Sequence, residues 1–250
     1  MAIFAISDLH LAFGVEKPMD VFGYRWQNYM ERIEQHWRAT VTPADTVLIP
    51  GDISWAISFA ELEKDIQFIE SLPGQKIISK GNHDYWWETT SKLNKYIAAT
   101  DLRTIRFQYN NAFVVEDRII CGTRGWRAPS EDGFTSEDQK IHARELIRFE
   151  MSLQEAVRLN GGAGAAPDAN ADLAAETPAG GLIAMLHYPP LDALGKDFGF
   201  FALMLKYGVQ TCIYGHIHGE NCARAFEGEL DGMMLKLVSA DHLDFKPFKI

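Results

Sequence analysis

The stretch Ile3-Phe4-Ala5-Ile6-Ser7-Asp8-Leu9-His10 decides the fold. A short apolar run of strand character passes directly into Asp-x-His, so a strand ends in two side chains of metal-binding type. Residues two apart on extended backbone point the same way, so Asp8 and His10 can converge on one region. The pattern then recurs along the chain. Trp26 to Ala39 is predicted helical, because Trp26, Tyr29, Met30, Ile33 and Trp37 fall at spacings of three and four. The apolar run Thr46 to Ile49 is a second strand ending in Pro50-Gly51-Asp52. Ser58-Phe59-Ala60-Glu61 has the form of a capping box, and the helix it opens carries Leu62, Ile66, Phe68 and Ile69 inward before Pro73-Gly74 stops it. Lys76 to Ser79 is a third strand, ending in Lys80-Gly81-Asn82-His83-Asp84. This β-α-β-α-β succession predicts an α/β protein with helices on the faces of its sheets.

Beyond these strands a helix is predicted from about Thr90. Strands are predicted at Arg103 to Phe107, Ala112 to Val115 and Ile119 to Gly122, the last two turning at Glu116-Asp117-Arg118. Ser136 to Leu159 reads as a long charged helix. Residues 160–180 consist mainly of Ala, Gly, Pro, Asp and Asn, with Leu173 the one large apolar residue, and read as a flexible Ala/Gly-rich loop within a single domain, 1–250. Strand character returns at Leu182 to Leu186, at Gln210 to Tyr214, and in a terminal hairpin of Cys222 to Phe226 with Met233 to Val238.

Composition narrows the function classes. At 250 residues and 47% hydrophobic content, one substantial core is expected. The three cysteines lack Cys-x-x-Cys spacing, which argues against a disulfide framework and a thiolate zinc site and suits a reducing cytoplasm. No apolar stretch is long enough to predict a membrane span. A net charge of −10 without a basic stripe argues against a nucleic-acid duplex as partner. An acidic chain that handles phosphate needs cations from elsewhere, and bound divalent ions supply them.

Five predicted strand ends carry metal-ligand residue types: Asp8 and His10, Asp52, Asn82-His83-Asp84, His187, and His216-x-His218. Ligands in open α/β sheets bind beyond the carboxyl ends of strands, so all five sets are expected in one place. Glycine precedes Asp52, Asn82 and His216, letting the backbone turn sharply and approach an ion closely. Carboxylate, amide oxygen and imidazole together suit manganese, iron or zinc. His36 and His142 fall on helix faces and read as structural.

Together, Asp8-x-His10, Gly51-Asp52, Gly81-Asn82-His83-Asp84, His187 and Gly215-His216-x-His218 resemble the signature of the calcineurin-like metallophosphoesterases. The resemblance implies a four-layer α/β/β/α sandwich of two mixed sheets with flanking helices. It implies two divalent metal ions, Mn, Fe or Zn, with Asp8, His10, Asp52 and His218 on the first and Asp52, Asn82, His187 and His216 on the second. It further implies that His83 faces the leaving group and that Asp84 orients it or stabilises its charge.

The substrate expected is a small phosphoester, hydrolysed by hydroxide held between the metals with His83 as general acid. Ile53-Ser54-Trp55 stands where protein serine/threonine phosphatases continue Asp-Arg-Gly, and His83 stands where lipid A pathway pyrophosphatases usually carry arginine, so both assignments are weakened. Tyr85 and Arg124 are candidate substrate contacts, while Trp86 and Trp87 read as packing. Monoester and diester hydrolysis remain open at this point. So does a noncatalytic metal-binding scaffold of the same fold that serves protein interactions.

Overall fold

A computed structural model describes residues 1–17, 19–161 and 180–250. The loop expected at 160–180 lies, apart from its ends, outside the described residues. Strands β1 (Ile3–Ala5), β2 (Thr46–Pro50), β3 (Gln75–Ser79), β4 (Ile105–Phe107), β5 (Phe113–Val115), β6 (Arg118–Thr123), β7 (Leu182–Leu186), β8 (Val209–Tyr214), β9 (Gly228–Leu230), β10 (Met233–Leu237) and β11 (Phe248–Lys249) form two sheets. The first has the order β11-β1-β2-β3-β4, with β1 to β4 parallel and β11 antiparallel at its edge. The second has the order β5-β6-β7-β8-β10-β9, parallel from β6 to β10 and antiparallel at both edges.

Period-two alternation explains how these strands build four layers. Ile3, Ala5, Leu48 and Ile77 turn one way from the first sheet and meet Ile120, Ile183, Met185 and Ile213 of the second, forming a dry core between the sheets. Phe4, Val47, Ile49 and Ile78 turn the other way. There they pack with helices α1 (Tyr29–Thr40), α2 (Phe59–Ser71) and α3 (Thr90–Thr100) through Ile33, Trp37, Leu62, Ile66 and Leu93. On the far side, Cys121, Ala184, Leu186 and Cys212 pack with α4 (Ser136–Asn160) and α5 (Phe200–Lys206) through Phe149, Leu153, Phe200 and Met204. The architecture is the predicted α/β sandwich: two mixed sheets face to face, flanked by helices. Among the described residues no helix is long and apolar enough to cross a membrane.

Three local expectations are corrected. The helix predicted from Trp26 is broken: Tyr24–Trp26 is a 3-10 turn, Gln27 is extended and Asn28 is left-handed at φ 51°, so α1 starts at Tyr29. This break lets the Trp26 ring lie edge-on to His10. The strand predicted from Cys222 is instead a 3-10 turn over Gly219–Arg224, and β9 begins only at Gly228. Asp231-Gly232, both at positive φ, makes the hairpin turn. At α2 the Ser58 hydroxyl accepts the Glu61 N–H, but Glu61 accepts from Ile57 N–H at 2.8 Å rather than from Ser58, so the box is displaced by one residue. A reciprocal box caps α4, between Thr135 and Asp138.

The two sheets are tied together where the functional residues fall. Ser7 and Ser239 form an isolated parallel bridge: Ser7 N–H donates to Val238 O, and Ala240 N–H donates to Ser7 O. This joins the end of β1 to the end of β10 and brings carboxyl ends of both sheets to one edge.

Candidate metal centre and active site

Backbone geometry at the strand ends aims the ligand residues. Asp8, His10, Asp52 and His216 all sit at positive φ, between 46° and 72°, a left-handed conformation that costs a non-glycine residue about 1–2 kcal/mol. The ladder that continues past the strands holds it: Asp8 N–H donates to Gly51 O, and His10 N–H to Asp52 O, both at 3.0 Å. Gly51, at φ 88°, lies so close to Gly81 that a Cβ would stand 2.7 Å from the Gly81 Cα. Gly81 in turn abuts Asp52, whose carboxylate oxygen would be 2.1 Å from a Cβ there. Glycine at these two positions is therefore a packing requirement of the site.

Asp8, His10 and His218 bring one ligating atom each within 4.8 Å of one another, and Asp8, Asp52 and His187 do the same. Asp52 Oδ2 lies 3.7 Å from His10 Nε2 and 3.5 Å from His187 Nε2, between one histidine of each group. Asp52 Oδ1 faces away and accepts the His83 N–H at 2.8 Å. The Asn82 amide oxygen is 2.7 Å from His187 Nε2, while His187 Nδ1 is 3.1 Å from Pro50 O. His216 stands beside these two groups, its ring centroid 5.1 Å from that of His187 and 4.1 Å from Tyr188. All seven residues predicted as ligands thus meet at one edge of the sandwich.

The electrostatics are those of a cation site. Asp8 and Asp52 are fully buried, and no lysine or arginine lies within 4.0 Å of either among the described residues. Burial pushes Asp52 well above the usual carboxylate range, and the neighbouring carboxylates Asp8 and Asp84 add to it. Burial also raises Asp8, but His218, His187 and His10 outweigh it and hold that carboxyl low. Burial lowers His10, brings His187 down to about 4 and His216 to about 3, which leaves neutral imidazoles with free lone pairs. At His218 burial is outweighed by Asp8 and Asp241, and the pKa rises to about 10. Two buried carboxylates facing neutral imidazoles and an amide oxygen form a donor set that fits divalent transition-metal ions.

Two predicted catalytic residues fare differently. His83 lies beside the cluster, its ring 5.7 Å from His10. Its Nδ1 is buried without a hydrogen-bond partner, and its pKa is lowered by burial and by Lys17. Asp84, expected to orient His83 or stabilise its charge, makes no hydrogen bond to the His83 ring among the described residues. Its Oδ2 accepts the N–H groups of Asp52 (2.9 Å) and Gly81 (2.7 Å), while Oδ1 accepts Ile53 N–H (2.9 Å), Ser54 N–H (3.3 Å) and Trp86 Nε1–H (3.1 Å). Burial outweighs these donors, which pull the pKa of Asp84 down, and leaves it pushed up to about 6. Asp84 is the peg that joins the loops after β2 and β3.

The predicted substrate contacts also separate. Tyr85 is exposed at the rim, edge-on to His83 with centroids 6.2 Å apart. Arg124 pairs with Glu145 of α4 at 3.3 Å and stacks over Trp126, while its carbonyl accepts the His187 and Tyr188 N–H groups. Trp86 and Trp87 are buried, as expected of packing residues. His142 is structural too, 3.0 Å from Phe198 O.

Sequence reasoning missed Asp241 and Trp55. Asp241 is buried and holds His218 Nδ1 at 2.8 Å, orienting Nε2 towards Asp8 at 3.2 Å. Its signal was available: Ser239-x-Asp241 follows an apolar strand with the same spacing of two as Asp8-x-His10. Trp55 stacks on His10 at 4.7 Å and lies 4.6 Å from His83, walling both.

The family model for calcineurin-like phosphoesterases matches residues 1–220. Among solved structures, a phosphopantetheinyl hydrolase from Mycobacterium tuberculosis is similar with a TM-score of 0.54 and 12% identity, covering 100% of this chain and 95% of that one. A protein of unknown function from Aquifex aeolicus, AQ665, gives 0.50 and 18% over 99% and 95% of the two chains. The protein TT1561 of Thermus thermophilus gives 0.50 and 9% over 99% and 97%. At these identities the structures support the fold alone. No curated protein matches the sequence.

Proposed function

Since the chain belongs to the calcineurin-like phosphoesterase family, we propose that it is a metal-dependent hydrolase of phosphate esters built around two divalent cations. The observation that carries this reading is the position of Asp52 Oδ2 between His10 and His187, one carboxylate oxygen facing a histidine from each of two ligand groups that also share Asp8. Asp8, His10, Asp52 and His218 would hold one ion, and Asp52, Asn82, His187 and His216 the other. When bound, such a pair of ions activates water near neutral pH and neutralises charge on the phosphate.

The chain's own residues do the rest. Asp241 fixes the His218 ring, and Ser7, Ser239 and the His216 N–H hold the Asp8 carboxylate in place. Trp55 and Trp26 keep water from one side of His10. His83 Nε2, which makes no hydrogen bond among the described residues, is the nitrogen free to carry a proton to the departing alkoxide. An anionic ester beside that ring offsets the lowering of its pKa.

Two cavities that share Trp126 lie near the ligand groups. A cavity of about 480 Å³ includes His216 and His218 in its lining, and one of about 460 Å³ includes Lys80 and Arg124. Helix α4 forms a wall of the second and contributes no lining residue to the first, which supports a phosphodiester with a group on each side.

The test is hydrolysis of bis(p-nitrophenyl) phosphate and p-nitrophenyl phosphate by chelator-stripped protein, with manganese, zinc, iron(II) or magnesium returned singly. Turnover that appears only with an added ion, and faster on the diester, is expected. Ion-independent turnover, or none with any ion, would contradict the proposal.

A further inference from the structure

The cavity of about 460 Å³ beside the ligand groups is cationic in a chain of net charge −10. Its lining includes Lys80, Arg124, Arg144 and Arg148 against two carboxylates, Glu88 and Glu145. Glu88 is engaged outside it, 2.9 Å from Lys92. Glu145 is shared, 3.3 Å from Arg124 and 2.7 Å from Arg148, and also accepts the Thr123 hydroxyl. Lys80 and Arg144 have no carboxylate within 4.0 Å among the described residues. Two more donors of the lining residues, Arg124 Nε and Trp87 Nε1, are buried without a partner. Buried donors left unpaired are costly, and their gathering with two unmatched cations is the arrangement an anion relieves.

The cavity adjoins the ligand groups through the backbone. Lys80 stands two residues before Asn82, and the carbonyl of Arg124 accepts both the His187 N–H at 3.0 Å and the Tyr188 N–H at 2.9 Å. Trp126 lines this cavity and also the one that reaches His216 and His218. Trp126 is thus the shared wall past which a substrate held at the metal ligands would extend into it.

Resting on the phosphoesterase reading above, we propose that this cavity binds a second phosphate, so that the preferred ester carries a phosphate monoester on one of the groups attached to the scissile phosphorus. Two unmatched cations balance a terminal phosphate of charge about −1.5 to −2. Guanidinium groups match its oxygens bidentately, which a lone ammonium does not. The volume exceeds that of a phosphate alone and leaves room for part of its carrier, beside the aromatic faces of Tyr109 and Trp126.

The experiment compares thymidine 5′-(p-nitrophenyl phosphate) with the same compound bearing a 3′-phosphate, both releasing nitrophenol from an identical diester. In manganese-loaded full chain the 3′-phosphate is expected to raise kcat/KM at least tenfold, chiefly through KM. Arg144→Met and Lys80→Met should each reduce that ratio roughly tenfold, the effect of one charge-assisted hydrogen bond. A wild-type ratio at or below one, or a ratio unchanged in both variants, overturns the proposal. If neither ester is cleaved with any ion, the hydrolase reading fails and calorimetric titration with thymidine 3′,5′-bisphosphate decides the anion site. Binding weakened in the two variants then supports it, and equal or absent binding overturns it.

Discussion

Replacing Asp84 by asparagine separates a structural peg from a catalytic partner of His83. The carboxylate accepts five N–H groups, three at Oδ1 and two at Oδ2, and is fully buried. An amide offers one accepting oxygen, and its NH2 must face donors whichever way it turns. Turned the less damaging way, it strands the N–H groups of Asp52 and Gly81. Each stranded buried donor costs about 1–3 kcal/mol, so Asp84→Asn should lose about 2–6 kcal/mol, a large part of the stability of a typical domain. Both stranded groups belong to the metal-ligand loops, so metal affinity should fall together with stability. Denaturant unfolding of metal-free protein, with metal analysis of the loaded form, gives both quantities. A wild-type unfolding midpoint and metal content, combined with crippled turnover, would refute the reasoning and restore Asp84 as the partner of His83.

Asp241→Asn removes the negative charge facing His218 Nδ1 and turns an NH2 towards either that nitrogen or the Gly219 N–H, so it should weaken metal binding about 10–100-fold, read by competition with a chelator, and cost about 1–3 kcal/mol of stability, read by denaturant unfolding. Lys76 is buried at the start of β3, with Nζ 2.9 Å from Thr104 Oγ1 and directed to the Glu70 and Leu72 carbonyls at the end of α2; burial pulls its pKa down to about 8. Between that value and the unfolded 10.5 the unfolded chain binds more protons, so stability should rise with pH across this window, by at most about 3 kcal/mol. Unfolding of the wild type and Lys76→Met at pH 7.5 and pH 10 checks this, since the rise should be absent from the variant.

The metal ligands were legible because they combine a short apolar run of period two with polar residues immediately after it. Glycine before Asp52 and Asn82 marked where the backbone had to pass close. What could not be read is where a side chain goes after the strand ends. Asp84 neighbours His83 in sequence, but the turn closed by Tyr85 N–H to His83 O sends it inward to the backbone of the preceding loop. The Arg124 pairing depends on Glu145, 21 residues away on α4. Asp241 reaches His218 across 23 residues because the Ser7–Ser239 bridge draws the end of β10 to the site. Helix α5 escaped notice because Phe200 to Leu205 is apolar throughout and carries no periodicity. Strand β11 has only two residues and owes its place to pairing with β1.

Metal stoichiometry and diester turnover, measured together on the wild type, His83→Ala and Asp52→Ala, test the central claim most directly. The account predicts about two ions per wild-type chain and the same in His83→Ala, with turnover there slowed about 10²–10⁴-fold. Asp52→Ala, stripped of the oxygen that faces both ligand groups, should lose metal and activity together. Equal metal loss in the two variants, or an Asp52→Ala protein that keeps two ions and turns over, would contradict it.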